Sequence, residues 1–211
     1  MIHYIIPARR GSKGLPFKNR RLLQYTIESL SGGYMEALTV TTDDEAIIDF
    51  CLRNNINHIH RSASLSSDTA SLRDVMTHAA RHLQMPDTDI IVMLYLTYPE
   101  RSYEDIKLAI KFFQENNAAS LLCRKELKTS PYLCLEETGT YTGKQIKKHD
   151  FYRRQDYPAC FEISHFVAIF RVKEIANLNK NLYNDSTLFL PIRQVHDIDT
   201  ESDYHEYSIN S

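Results

Sequence analysis

Short apolar runs rich in β-branched residues alternate with amphipathic helical stretches along most of the chain. No other feature constrains the fold as much. Residues 2–7, 37–42, 56–60, 90–96, 120–123, 166–172 and 188–192 read as strands. IIVMLYL at 90–96 is the most apolar and reads as a central strand buried on both faces. Between them, Leu23, Ile27 and Leu30 recur at helical spacing, as do Ile47, Ile48, Cys51 and Leu52 after a capping Asp43 or Asp44. The 69–84 stretch keeps the i, i+3, i+4 pattern closely, and Ser102 with Asp105 predicts a capping box ahead of Ile106, Ile110 and Phe113. Thr200 and Asp203 mark a final helix start.

Parallel strands need crossovers of about this helical length, and right-handed crossovers place helices on both faces of the sheet. The expected architecture is α/β: a three-layer α/β/α sandwich with a mainly parallel sheet, in one domain over 1–211. Residues 125–158 differ, being polar and rich in Tyr and Lys. They predict a β-hairpin excursion, with Tyr132, Tyr141, Tyr152 and Tyr157 suited to an oligomer contact.

Charge patterning narrows the function. The chain carries a net charge of −2, against a general nucleic-acid binder. Yet Arg9, Arg10, Lys13, Lys18, Arg20 and Arg21 cluster before the first acidic residue, Glu28. One basic segment in a near-neutral chain points to a local anionic ligand. No apolar run has membrane-spanning length, and the N-terminal residues do not read as a secretory signal. Cys51, Cys123, Cys134 and Cys160 lack metal-binding spacing and read as reduced thiols, which places the protein in the cytoplasm. His78 and His82 read as solvent-facing on the flank of a helix, with no partner set for a metal.

Sheets of this kind bind ligands beyond the carboxyl ends of their strands. Four unusual segments follow strands: 8–19, 41–44, 97–101 and 196–199. In the first, glycines let backbone N–H groups approach an anion, Ser12 donates a hydrogen bond, and Arg9, Lys13 and Lys18 neutralise phosphate oxygens. The loop lacks both the Walker A and the dinucleotide-binding spacing.

Pro7-Ala8-Arg9-Arg10-Gly11-Ser12-Lys13-Gly14-Leu15-Pro16-Phe17-Lys18-Asn19 resembles the signature loop of the acylneuraminate cytidylyltransferases, the CMP-sialic acid synthetase family. The likeness continues, in family order, through Val40-Thr41-Thr42-Asp43-Asp44-Glu45, Arg61 to Ser71, Thr97-Tyr98-Pro99-Glu100-Arg101, Arg154-Gln155-Asp156-Tyr157-Pro158 and Asp197-Ile198-Asp199-Thr200-Glu201. It implies a nucleotide-diphospho-sugar transferase fold of Rossmann-like type. It also implies a reaction of CTP with a nonulosonic sugar acid that gives the CMP-sugar and pyrophosphate. Carried onto this chain, Arg9, Gly11, Ser12, Lys13, Lys18, Asn19 and Ser71 bind the nucleotide, and Tyr95, Thr97, Arg154 and Gln155 contact the sugar. Arg9, Lys13, Lys18, Asp197 and Asp199 are the catalytic set. Asp197 and Asp199 are hard-oxygen ligands suited to Mg2+. The 125–158 excursion corresponds to the family's dimerisation arm, so a homodimer with Arg154 and Gln155 acting across the interface is expected.

The chain departs from the family pattern in three places. Arg20-Arg21 leads straight into Leu22, without the family's G-K-P insertion. Tyr95 stands where the family has Gln, and Leu96, Tyr98 and Glu100 replace Pro, Ser and Leu. Residues 161–170 lack N-G-A-I-Y. These changes point to an altered sugar acceptor. A Kdo or other sugar nucleotidyltransferase, and a nucleotide-binding homologue without catalysis, are the alternatives.

Overall fold

The computed structural model describes residues 1–127 and 129–210, with only the backbone of residue 210. Lys128, inside the expected excursion, and Ser211, at the end of the expected domain, lie outside the described residues.

The chain begins with β1 (Ile2–Ala8), α1 (Lys18–Glu28), β2 (Leu38–Thr42), α2 (Glu45–Arg53) and β3 (Asn57–His60). The short helix α3 (Ala63–Ser66) and then α4 (Leu72–His82) lead to β4 (Ile90–Met93), α5 (Tyr103–Glu115) and β5 (Ser120–Glu126). A hairpin, β6 (Leu135–Gly139) and β7 (Thr142–Gln145), precedes β8 (Phe161–Arg171), β9 (Leu188–Pro191) and α6 (Glu201–Asn210). The main sheet has seven strands in the order β3-β2-β1-β4-β8-β5-β9, and the hairpin forms its own two-stranded sheet. β8 is antiparallel to both its neighbours, and every other pairing in the main sheet is parallel.

Strand alternation divides the core. Tyr4, Ile6 and Ala8 of β1 pack with Val92, Leu121 and Ile169 under α1, α2 and α5. Ile5 faces the other way, with Ile91, Leu122 and Phe170, under α4 and the 172–182 segment. Successive side chains on a strand point to opposite faces, so a strand apolar throughout feeds both layers. The expected three-layer, mainly parallel sandwich is therefore present. No helix among the described residues is long and apolar enough to cross a membrane. The thiols of Cys51 and Cys123 are buried, which pushes them up to about 11 and about 12, so both remain protonated.

Some boundaries differ from expectation. β4 stops at Met93, because the chain leaves β1 after the Leu94 N–H bonds to the Ile5 carbonyl. β8 starts at Phe161, earlier than the apolar run, since its first residues, though largely exposed, already pair with β5. α1 starts at Lys18, so Lys18 and Asn19 belong to its first turn instead of the preceding loop. Leu15 is fully buried, Phe17 adopts a left-handed conformation, and the Lys18 N–H bonds back to the Leu15 carbonyl; together they turn the chain into the helix early. His78 is half-buried, contrary to the solvent-facing expectation, and burial lowers its pKa.

Candidate functional site

The carboxyl edge of the sheet carries a cleft of about 530 Å3. The loop after β1 forms one wall with Arg9, Gly11 and Ser12, continued by Lys18 and Asn19 of α1. The segment after β3 supplies Arg61 and residues 67–71, the turn after β4 supplies Tyr95, Thr97 and Tyr98, and the segment after β9 supplies Asp197 and Asp199. Being antiparallel, β8 brings its N-terminal end to the same edge, so His165 lines the cleft as well.

The loop is fixed by its own polar groups. The Asn19 amide donates to the Arg9 carbonyl at 2.6 Å, pulling the helix start against the loop start. Arg10 N–H donates to Asp43 at 2.8 Å. Asp44 has the cap role: its carboxylate accepts from the Ala46 N–H and takes a two-pronged contact from Arg20 at 2.7 Å. Arg9 and Lys13 both reach Asp68, at 2.9 and 2.7 Å, and these contacts hold the Asp68 carboxyl below its ordinary pKa. Gly14 touches the acidic segment so closely that a Cβ there would run into the Asp199 carbonyl oxygen. By contrast, a Cβ on Gly11 would meet open space.

The acidic segment is held from several sides. Ile198 is fully buried, and its N–H donates to the Thr97 carbonyl at 2.9 Å. Asp197 and Asp199, its neighbours on either side, both line the cleft. Lys18 pairs with Asp199 at 2.6 Å. Tyr98 donates its hydroxyl to Asp197 at 2.7 Å, and Glu100 pairs with His196. Arg21, which follows the helix start directly in the absence of an insertion, pairs with Glu201 and stacks over Tyr204.

Of the residues singled out in the sequence, Arg9, Gly11, Ser12, Lys18, Asn19, Ser71, Tyr95, Thr97, Asp197 and Asp199 share this cleft. Lys13 stands at the rim, 83% exposed on Asp68. The Ser71 side chain caps α4, accepting from the Asp74 N–H and donating to its carboxylate. Arg154 and Gln155 are not among the lining residues; they lie exposed beyond the hairpin.

Arg61 opens the 61–71 motif, but no role in the site was assigned to it from the sequence. It is 4% exposed, and its Nε and Nη2 have no hydrogen-bond partner. Burial lowers its pKa to about 10, so it remains a cation at neutral pH. A buried cation beside a cleft adds positive potential for an anionic ligand, partly offset here by the Asp43 carboxylate 4.0 Å from Nη2. The available signals were its place at the end of a strand and at the head of that motif. Tyr98 and His165 were also unassigned. Burial, and then the Asp197 charge, push the Tyr98 hydroxyl far above the ordinary phenol range, so it stays a proton donor.

Among the described residues no cluster of three or more His, Cys, Asp or Glu could hold a metal ion. Two carboxylates on one cleft nonetheless fit Mg2+, which keeps waters and takes substrate phosphate oxygens for its remaining positions.

Residues 3–202 match the family model described as Cytidylyltransferase. An N-acylneuraminate cytidylyltransferase of Streptococcus agalactiae serotype V is 31% identical over 163 residues, covering 72% of this chain and 39% of that protein. The chain thus spans about two fifths of the length of that relative. The CMP-N,N'-diacetyllegionaminic acid synthase of Legionella pneumophila is 26% identical over 216 residues, covering 95% of this chain and 91% of that one. Among solved structures, a CMP:2-keto-3-deoxy-manno-octonic acid synthetase complexed with CTP has a TM-score of 0.69 at 13% identity. That match covers 99% of this chain and 97% of the other, and is a likeness of fold.

Proposed function

The chain belongs to the cytidylyltransferase family, and we propose that it joins CTP to a nonulosonic acid, giving the CMP-sugar and pyrophosphate. One observation carries this reading: the cation-bearing loop and the two carboxylates of the 197–199 segment line a single cleft. In this reaction the anomeric oxygen of the sugar bonds to the α-phosphorus as its hydroxyl proton leaves to solvent or to the departing pyrophosphate. The bond from that phosphorus to the bridging oxygen breaks, and pyrophosphate leaves with the electron pair. Arg9, Lys18 and Arg61, with Lys13 adding its charge from the rim, meet the charge that develops on the phosphate oxygens. Ser12 and the backbone around Gly11 hold the phosphates, and Asn19 keeps the loop in place. Asp197 and Asp199 would hold Mg2+. Bound there, the ion supplies Lewis-acid stabilisation of phosphoryl charge.

Tyr95 and Thr97 form the sugar side of the cleft. The Tyr95 ring meets His165 edge-on at 5.3 Å, so it offers a bulky surface and one hydroxyl where a Gln would offer an amide. A sugar whose polar group depended on that amide is left unpaired here. N-acetylneuraminic acid is therefore expected to be a poorer substrate than deoxy, diamino relatives. A kcat/KM for it at least equal to theirs refutes this use of Tyr95.

The excursion supports assembly. Tyr132 and Tyr157 stack on each other inside it and meet His149 and Phe151 edge-on, while Leu133, Leu135, Tyr141, Ile146 and Tyr152 are exposed. A second copy covering that surface brings Arg154 and Gln155 toward the partner's cleft.

Nucleotide choice is tested by ligand-linked thermal stabilisation. At one hundred times its Kd, a ligand adds about 2.7 kcal/mol. With Mg2+ present, CTP is expected to raise Tm more than UTP or ATP at equal concentration. Equal shifts from all three, or none, would overturn the assignment.

A further inference from the structure

We propose that Tyr98 is a positioning residue for Asp197, setting the carboxylate that receives the metal. This rests on the metal reading above. Tyr98 follows β4 in the turn leading to α5 and is 4% exposed, with its ring edge-on to Phe166 at 5.5 Å. Its hydroxyl donates to Asp197 Oδ2 at 2.7 Å and accepts from the fully buried Ser164 hydroxyl at 3.2 Å. The Ser164 oxygen accepts in turn from the Phe166 N–H at 3.3 Å. Since the Ser164 proton is committed to Tyr98, the tyrosine proton is committed to the carboxylate. A relay anchored in the β8 backbone thus ends on one oxygen of Asp197.

The same turn is tied down further. Arg101 is buried and donates to the Phe166 carbonyl at 2.8 Å and to Thr26 of α1 at 3.0 Å. The Thr97 carbonyl holds the Ile198 N–H. Tyr98 therefore reaches Asp197 from a rigid mount, and it is a residue at which this chain departs from the family pattern. Hydrogen-bonded partners of metal-binding carboxylates fix their orientation, and losing one typically weakens metal binding about 10–100-fold.

The test compares Tyr98→Phe, Asp197→Asn and the double variant, with Ser164→Ala as a second way to break the relay. Mn2+ binding is followed on the protein alone by loss of the free-ion paramagnetic resonance signal, and the Mg2+ requirement is read from turnover. Tyr98→Phe keeps the ring, so the melting profile should stay cooperative. Mn2+ affinity and the Mg2+ requirement are expected to worsen about tenfold, with the KM for CTP at saturating Mg2+ changing less than about twofold. Ser164→Ala should shift both metal readouts in the same direction by less. In the double variant, Tyr98→Phe should add nothing to the loss from Asp197→Asn. If Asp197→Asn weakens metal binding but Tyr98→Phe does not, or if the two losses simply add, the positioning role is wrong and the metal reading stands. If Asp197→Asn leaves metal binding unchanged, the metal reading fails and this inference fails with it.

Discussion

Lys13 and Lys18 sit five positions apart and meet different surroundings. Lys13 extends into solvent at the rim, while Lys18 projects into the cleft from the first turn of α1 and reaches Asp199. A lost charge-assisted contact costs roughly 1.5–3 kcal/mol, or about one to two decades in rate. Lys18→Ala is therefore expected to lower kcat/KM for CTP by one to two decades and more than Lys13→Ala does, which steady-state kinetics at saturating sugar acid will show. The reverse order contradicts the placement. Gly14 makes a sharper case, because an added methyl meets backbone and no flexible side chain can move aside. Gly14→Ala should push the loop off the 199 carbonyl and cost about 1–3 kcal/mol of stability along with activity. Gly11→Ala, facing open space, should cost little stability in the same denaturation series. The glycines were legible as loop formers, but their unequal weight was not. It depends on which distant backbone each one touches.

Several elements could be read directly from local chemistry. The Ser102 box forms in full, with the side chain accepting from the Asp105 N–H and the Asp105 carboxylate accepting from the Ser102 N–H. Ser102→Ala is expected to cost about 0.5–2 kcal/mol in chemical denaturation. The Asp44 cap is also visible in sequence, but its strength is not, because Arg20 comes from another helix. Burial acts to raise the Asp44 pKa, and the Arg20 fork and the Ala46 N–H outweigh it, holding the carboxyl below its ordinary value. The unfolded chain returns that group to roughly 3.9. Its contribution to stability is therefore complete above that pH and fades as pH falls through the lower folded value. Arg20→Met raises the folded pKa, so acid unfolding should begin at higher pH. An unchanged or lower acid midpoint would show that the fork has no such role. The antiparallel direction of β8 was not legible: strand direction follows from the path of the polar excursion before it, where periodicity is weak. Consequently His165 was missing from the expected site.

At the scale of the molecule, a sandwich with a cleft at its carboxyl edge followed from strand–helix alternation alone. The gathering of 9–19, 61–71, 95–98 and 197–199 there follows from all of these segments leaving strands at one edge. The excursion extends the account beyond one chain. Its exposed apolar residues predict a dimer at micromolar concentration by light scattering, and Leu135→Glu should shift it toward monomer. A monomeric wild-type protein with full activity would reject both the dimer and any action of Arg154 across it. The central claim concerns what happens in the cleft. It is tested most directly by mixing the protein with CTP, Mg2+ and a panel of nonulosonic acids, and quantifying CMP-sugar and pyrophosphate together. The account predicts both products in equal amounts with at least one sugar acid, and a loss of one to two decades in that rate for Lys18→Ala. Pyrophosphate release that is independent of any sugar acid, or no product from CTP with any of them, would contradict it.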